Sequence, residues 1–158
     1  MWEECTKKCS SRKHADSIIS AIITAGDELE EMVVKLLPTC CNLATNKDSS
    51  GRTALQVAAS LGKMKILDWL FSHDVHVNAK DEESGYSALH RSFYYGQLQA
   101  ARALLQNNAS LFQPLDNDSM SPFDHLIQDK FDLNKLDANL PSQVHVWGLN
   151  SNFGMMQI

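Results

Sequence analysis

Gly51-Arg52-Thr53-Ala54-Leu55 returns 34 residues later as Gly85-Tyr86-Ser87-Ala88-Leu89, and once more, degraded, as Ser119-Met120-Ser121-Pro122-Phe123. Other columns keep the same register. Gly62 recurs as Gly96, and Leu70-Phe71 as Leu104-Leu105. A fixed period of this length, carried by several columns, marks a solenoid whose units bury their apolar faces against one another.

Each unit reads as a turn, a short helix, a tight turn, a second helix and a hairpin loop. In the first clear unit, Ala54 to Leu61 is Ala-rich and ends at Gly62, a residue that tolerates the positive φ of a helix C-cap. Met64 to Ser72 follows, with Ile66, Leu67, Leu70 and Phe71 on one face. Val75 and Val77 alternate with polar residues toward the loop Lys80 to Gly85. In the next unit Ala88 to Tyr95 and Leu98 to Gln106 are the two helices, the second presenting Leu98, Ala101, Leu104 and Leu105. Leu70, Leu89 and Leu104 are the expected core, and no sheet is expected beyond the hairpin tips.

These residues resemble the ankyrin repeat, whose pattern runs D-x-x-G-x-T-P-L-H-x-A-A, then Gly, then a Leu-rich helix and G-A-D-V-N-A. Asp48, Gly51, Thr53, Leu55, Ala58, Ala59, Gly62, Leu70 and Val77-Asn78-Ala79 fit it in one unit. Asp81, Gly85, Ser87, Leu89, His90 and Gly96 fit it in the next. The period exceeds the usual ankyrin length by one residue. The longer hairpin Asp81-Glu82-Glu83-Ser84-Gly85, against Asp48-Ser49-Ser50-Gly51, accounts for it. The resemblance implies an all-α ankyrin solenoid of helix-turn-helix units with short β-hairpin loops. It also gives His90 a structural role, tying neighbouring units by hydrogen bonds. Ser92 and the bulky Phe93 stand where the family places small residues, so stacking on the third unit is expected to be locally irregular.

The flanks read as capping elements. Residues 1–14 form an extension and 15–47 an N-terminal helix pair, Asp16 to Ala25 and Glu28 to Leu37. Leu29, Met32, Val33, Leu36 and Leu37 give the second helix one apolar stripe, and Asp27 is the expected N-cap. The repeats occupy 48–130, as units 48–80 and 81–115 and a partial unit 116–130. The stretch Asp132 to Ser142 is polar, contains Pro141 and shows no convincing Leu-rich second helix. Residues 131–158 form a tail.

Composition excludes several function classes. The chain has 158 residues, 44% apolar and 21% charged, as in ordinary folded proteins. A net charge of −5 opposes nucleic acid or an anionic membrane as the main ligand. The longest strongly apolar stretch, Ile18 to Ala25, is too short to span a bilayer. Met1-Trp2-Glu3-Glu4 lacks the basic-then-apolar pattern of a signal peptide. A cytoplasmic location with free thiols is therefore expected, and the sequons at Asn108 and Asn117 then carry no sugar. There is no phosphate loop, dinucleotide fingerprint, zincin motif or nucleophile elbow. No enzymatic activity, cofactor or small-molecule substrate is expected. Cys5, Cys9, Cys40 and Cys41 lack zinc-site spacing, and His73 with His76 falls at a helix end where His is ordinary, so no metal is expected.

The tail Val144-His145-Val146-Trp147-Gly148-Leu149-Asn150 resembles the opening of a blade of the chromosome-condensation-regulator type of propeller. One blade needs about four strands, so the motif is incomplete here. The residues 141–158, with Trp147, are expected to pack poorly. The whole chain resembles the amino-terminal end of a family of tyrosine-kinase inhibitors that join ankyrin repeats to such a propeller. On that reading the chain is a short isoform, a truncated duplicate or a fragment. The resemblance implies a protein partner, a Bruton-type tyrosine kinase held through its lipid-binding domain, with inhibition as the consequence. The alternatives it implies are a substrate-binding or scaffold region of a cullin-based ubiquitin-ligase adaptor, or a purely structural fragment.

In such solenoids the hairpin tips and outward residues of the first helices form a concave binding surface. By register these positions hold Arg52 and Leu61 in one unit, and Asp81, Glu82, Glu83, Tyr86, Tyr94 and Tyr95 in the next. Tyr and Arg bury much area at little rotamer cost. The acidic tip Asp81-Glu82-Glu83 suits a basic partner.

Overall fold

A computed structural model describes residues 12–36, 46–73 and 75–128. Seven helices lie within them: α1 (Arg12–Thr24), α2 (Glu30–Leu36), α3 (Ala54–Leu61), α4 (Met64–Phe71), α5 (Ala88–Tyr94), α6 (Leu98–Gln106) and α7 (Pro122–Gln128). The cysteines, Leu37 and the tail from residue 129 onward lie outside the described residues.

The repeated sequence makes the repeated helix start. Thr53 accepts a hydrogen bond from the Gln56 amide while the Gln56 side chain accepts from the Thr53 amide, at 3.3 and 2.8 Å. This capping box satisfies two backbone donors that a helix leaves open. Ser87 and His90 build it again on α5, and Ser121 with Asp124 on α7. Gly62 closes α3 in the left-handed conformation, φ 67°, as its place in the repeat predicts.

The helices form two layers. α1, α3, α5 and α7 stack as the inner row, and α2, α4 and α6 as the outer row. The core lies along the seam, with Ile66, Leu67, Leu70, Leu89, Phe93 and Leu104 fully buried. The three expected core leucines are among them. Phe93 is accommodated whole, and α5 packs on α7 nonetheless. Among the described residues the strand pairing is a single antiparallel bridge between Lys47 and Thr53.

The N-terminal pair differs from expectation. α1 begins at Arg12, a turn earlier than Asp16. Asp27 is not a cap: Asp27 to Leu29 form a turn and α2 starts at Glu30. Leu29 and Met32 are therefore 50% and 59% exposed, while Val33 faces the core. Glu30 turns inward as well and accepts from the Ile66 amide at 3.1 Å. It thereby caps α4, whose own N-cap residue Lys63 makes no side-chain capping bond and reaches Asp27 instead, at 3.2 Å.

Candidate functional site

The hairpins and inner helices together present the surface that the sequence singles out. Each hairpin is folded by its aspartate. Asp48 Oδ1 accepts from the Ser50 and Arg52 amides, and Asp81 Oδ1 from those of Glu83, Ser84 and Gly85. The extra residue of the second hairpin is absorbed by that third amide. Asp81 is consequently buried, and its other oxygen takes the Arg91 guanidinium at 2.8 and 3.1 Å. The expectation of Asp81 as a surface charge is thus corrected: an Asx turn draws its carboxylate inward.

The other acidic positions stay at the surface. Glu82 is exposed and pairs with Arg12 and Lys47, at 3.1 and 3.8 Å. Glu83 is exposed. Arg52 is half-buried and held by Asp48 at 2.9 Å. Leu61 is exposed at the end of α3.

The three tyrosines come together. The Tyr86 and Tyr94 rings are 6.1 Å apart, and those of Tyr94 and Tyr95 are 5.1 Å apart. Tyr94 and Tyr95 are 57% and 53% exposed. Tyr86 is half-buried, stacked on His90 at 5.4 Å and met edge-on by His125 at 5.1 Å. Burial raises the Tyr86 hydroxyl above its usual pKa, and the Asp116 charge adds to this. It therefore remains neutral at physiological pH.

Behind these rings lies a polar layer that the sequence reading missed. His125 Nε2 donates to Asp116 Oδ2 at 2.8 Å, both groups being buried. Burial works against the Asp116 charge, but the His125 bond and the Met120 and Asp118 amides outweigh it and hold its pKa low. The repeat register carried the signal. His125 stands one period after Arg91, so the pair answers the Arg91–Asp81 bridge of the previous unit.

His90, Asp116 and His125 bring ligand atoms within 4.8 Å of one another. Their hydrogen bonds do not suit a metal. His90 Nδ1 accepts the Ser87 amide at 3.0 Å, and Nε2 faces the Met120 carbonyl at 3.1 Å. The Ser87 amide fixes Nδ1 as the lone pair, so Nε2 carries the proton. Burial lowers the His90 pKa and keeps the ring neutral. A cation on Nε2 would force a proton onto Nδ1, against the Ser87 donor. His90 is a tie between units, as expected.

Successive tied units of this kind define an ankyrin solenoid. The family description "Ankyrin repeats (3 copies)" matches residues 18–114, and the chain belongs to that family. The match begins within α1 and takes in α2 as well. More particularly, the chain is similar to the Inhibitor of Bruton tyrosine kinase. It is 38% identical to the Xenopus laevis protein over 154 residues, covering 97% of this chain and 11% of the relative. Identity to the Mus musculus protein is 40% and to the Homo sapiens protein 39%, each over 150 residues, 95% of this chain and 11% of the relative. The chain thus spans about a tenth of the length of the curated relatives it matches. Among the described residues no helix is long and apolar enough to cross a membrane.

Proposed function

We propose that the inner-helix face is a protein-binding surface that engages a Bruton-type tyrosine kinase through its lipid-binding domain and restrains it. The chain performs no catalysis on this reading. Inhibition follows from masking the surface by which the kinase docks on membrane. The action is cytoplasmic, where such a kinase meets its membrane. The name of the relatives supports the kinase as partner.

One observation carries the choice of surface: a contiguous tyrosine cluster, exposed at Tyr94 and Tyr95 and braced from behind at Tyr86. A braced aromatic loses little freedom on binding, so more of its buried area becomes affinity. Glu82 and Glu83 lie in the hairpin that leads to Tyr86; Glu83 gives the surface an acidic edge, whereas Glu82 is partly neutralised by Arg12 and Lys47. Arg52 and Leu61 extend it by one unit, although Arg52 is partly neutralised by Asp48. Asp81 is left out because its charge is internal.

Calorimetric titration of the 158-residue chain with the kinase's lipid-binding domain tests the proposal. Saturable binding that weakens with salt is expected, because acidic rim charges mainly speed encounter. Absence of binding at tens of micromolar would contradict it.

A further inference from the structure

The peptide that follows Tyr86 is held at both ends. Its carbonyl accepts from the Asp81 amide at 2.9 Å and from Gln56 Nε2 at 3.2 Å. Its N–H, on Ser87, donates to His90 Nδ1 at 3.0 Å, inside the fold. The Tyr86 ring lies over the same imidazole, with the two planes 8° apart. His90 thus fixes both the backbone and the ring of Tyr86.

The repeat supplies the comparison. The Thr53 amide is held in the same way by Gln56 Oε1 at 2.8 Å, and the Ser121 amide by Asp124 Oδ2 at 2.7 Å. A carboxamide does not titrate. The Ser121 hydroxyl and amide hold the Asp124 pKa low, so it stays a carboxylate in mild acid. Of the three acceptors only imidazole takes up a proton between about pH 5 and 8. That proton has only Nδ1 to go to, since Nε2 already carries one toward the Met120 carbonyl. The Ser87 hydroxyl, at 2.9 Å, can accept the new N–H. The Ser87 amide, however, loses its acceptor and faces a second donor, so the ring must shift. A charged ring still attracts the Tyr86 face, and therefore carries Tyr86 with it.

The charges that face His90 come from both hairpins and from α7. Asp81 and Asp116 favour its protonation, whereas His125, 5.3 Å away ring to ring, opposes it. Of the helices packed on α5, α3 has no ionisable side chain, α6 has Arg102 alone, and α7 has Asp124 and His125. Burial outweighs the two carboxylates, so the ring titrates below the usual imidazole value.

We infer that neutral His90 is the positioning residue of Tyr86, and that a proton on its Nδ1 releases Tyr86 and makes the tyrosine surface acid-sensitive. The consequence for a partner rests on the reading of that surface as the binding face; the movement of Tyr86 does not. His90→Gln is the matched variant, because Gln56 already makes both bonds, one to the amide of its own cap and one to the next unit.

The experiment follows the Tyr86 ring, the Ser87 amide and the His90 imidazole of the 158-residue chain by NMR from pH 7.5 to 5.0. In wild type the three should shift with one midpoint, below about 6.5, while the Thr53 amide, held by Gln56, stays in place. In His90→Gln the Tyr86 ring and Ser87 amide should lose that inflection. Affinity for the kinase's lipid-binding domain should fall by up to tenfold per pH unit below the midpoint, and by less in His90→Gln. Tyr86 signals that ignore the His90 midpoint overturn the inference, as does an inflection that survives in His90→Gln or one that coincides with loss of all folded signals. If His90→Gln does not fold, His125→Asn is read instead: an inflection that persists there supports His90, and one that vanishes overturns it. A domain that binds at no pH counts against the kinase reading alone, and the Tyr86 titration still decides the role of His90.

Discussion

Positions 56, 90 and 124 place Gln, His and Asp in one and the same capping box, and the chemistry of each decides what it does beyond the cap. Gln56 and His90 both tie the following unit, so a His90→Gln variant should fold. Its pH response should differ. The His90 pKa is lowered by burial in the folded state, so the unfolded chain binds the proton first. Stability is then fully present above the unfolded value near 6.5 and falls as pH drops toward the folded value, by at most about 1.4 kcal/mol per pH unit for one proton. Chemical unfolding at pH 7 and pH 5.5 should show a smaller acid loss in His90→Gln than in wild type. An equal loss would mean that the ring is not the source. Asp116 and Asp124 have lowered pKa values too, and they add a second decline below about pH 4. Ser119 offers a further test. A non-glycine residue at positive φ is strained by about 1 kcal/mol, so Ser119→Gly should raise stability by roughly 0.5 kcal/mol after the added chain entropy. An unchanged denaturant midpoint would contradict this. Tyr94 and Tyr95 were legible at this scale because register alone placed them outward. Asp81 was misread because nothing in a string of acids says which carboxylate folds back onto its own turn. The Asp116–His125 pair went unseen because its members belong to the degraded unit, where the family pattern fades.

At the scale of elements, α3 to α6 were legible almost to the residue, since cap, glycine stop and apolar face agree there. Leu104 is fully buried where α6 meets α5, so Leu104→Ala should cost about 2–5 kcal/mol and loosen the neighbouring units. A variant melting like wild type would break the register. α2 was legible only in part. The helical spacing of Leu29, Met32, Val33, Leu36 and Leu37 suggested one apolar stripe, but Glu30 is buried beside Val33 while Leu29 and Met32 are exposed. Glu30 serves the α4 amide end, a contact between units that local pattern does not reveal. Glu30→Ala leaves the Ile66 amide, inside the core, without its acceptor, at a cost of about 1–3 kcal/mol. Glu30→Gln keeps an acceptor oxygen and should recover most of that loss in the same unfolding measurement. Equal losses for the two variants would place the effect elsewhere.

At the scale of the molecule, the two-row solenoid followed from the 34-residue period, whereas the direction in which its surface acts did not. The period gives a stack, and a stack has two sides and two ends. Only the geometry distinguishes a tyrosine cluster braced by His90 and His125 from aromatics scattered along helices. The central claim is that this cluster anchors a kinase's lipid-binding domain, and the measurement is the affinity of that domain for wild type and for Tyr94→Ala/Tyr95→Ala. Both residues are more than half exposed, so the variant should keep the wild-type unfolding midpoint. Its affinity should fall by about thirtyfold or more, the loss that goes with truncating an interface anchor. A folded variant that binds as tightly as wild type would contradict the account.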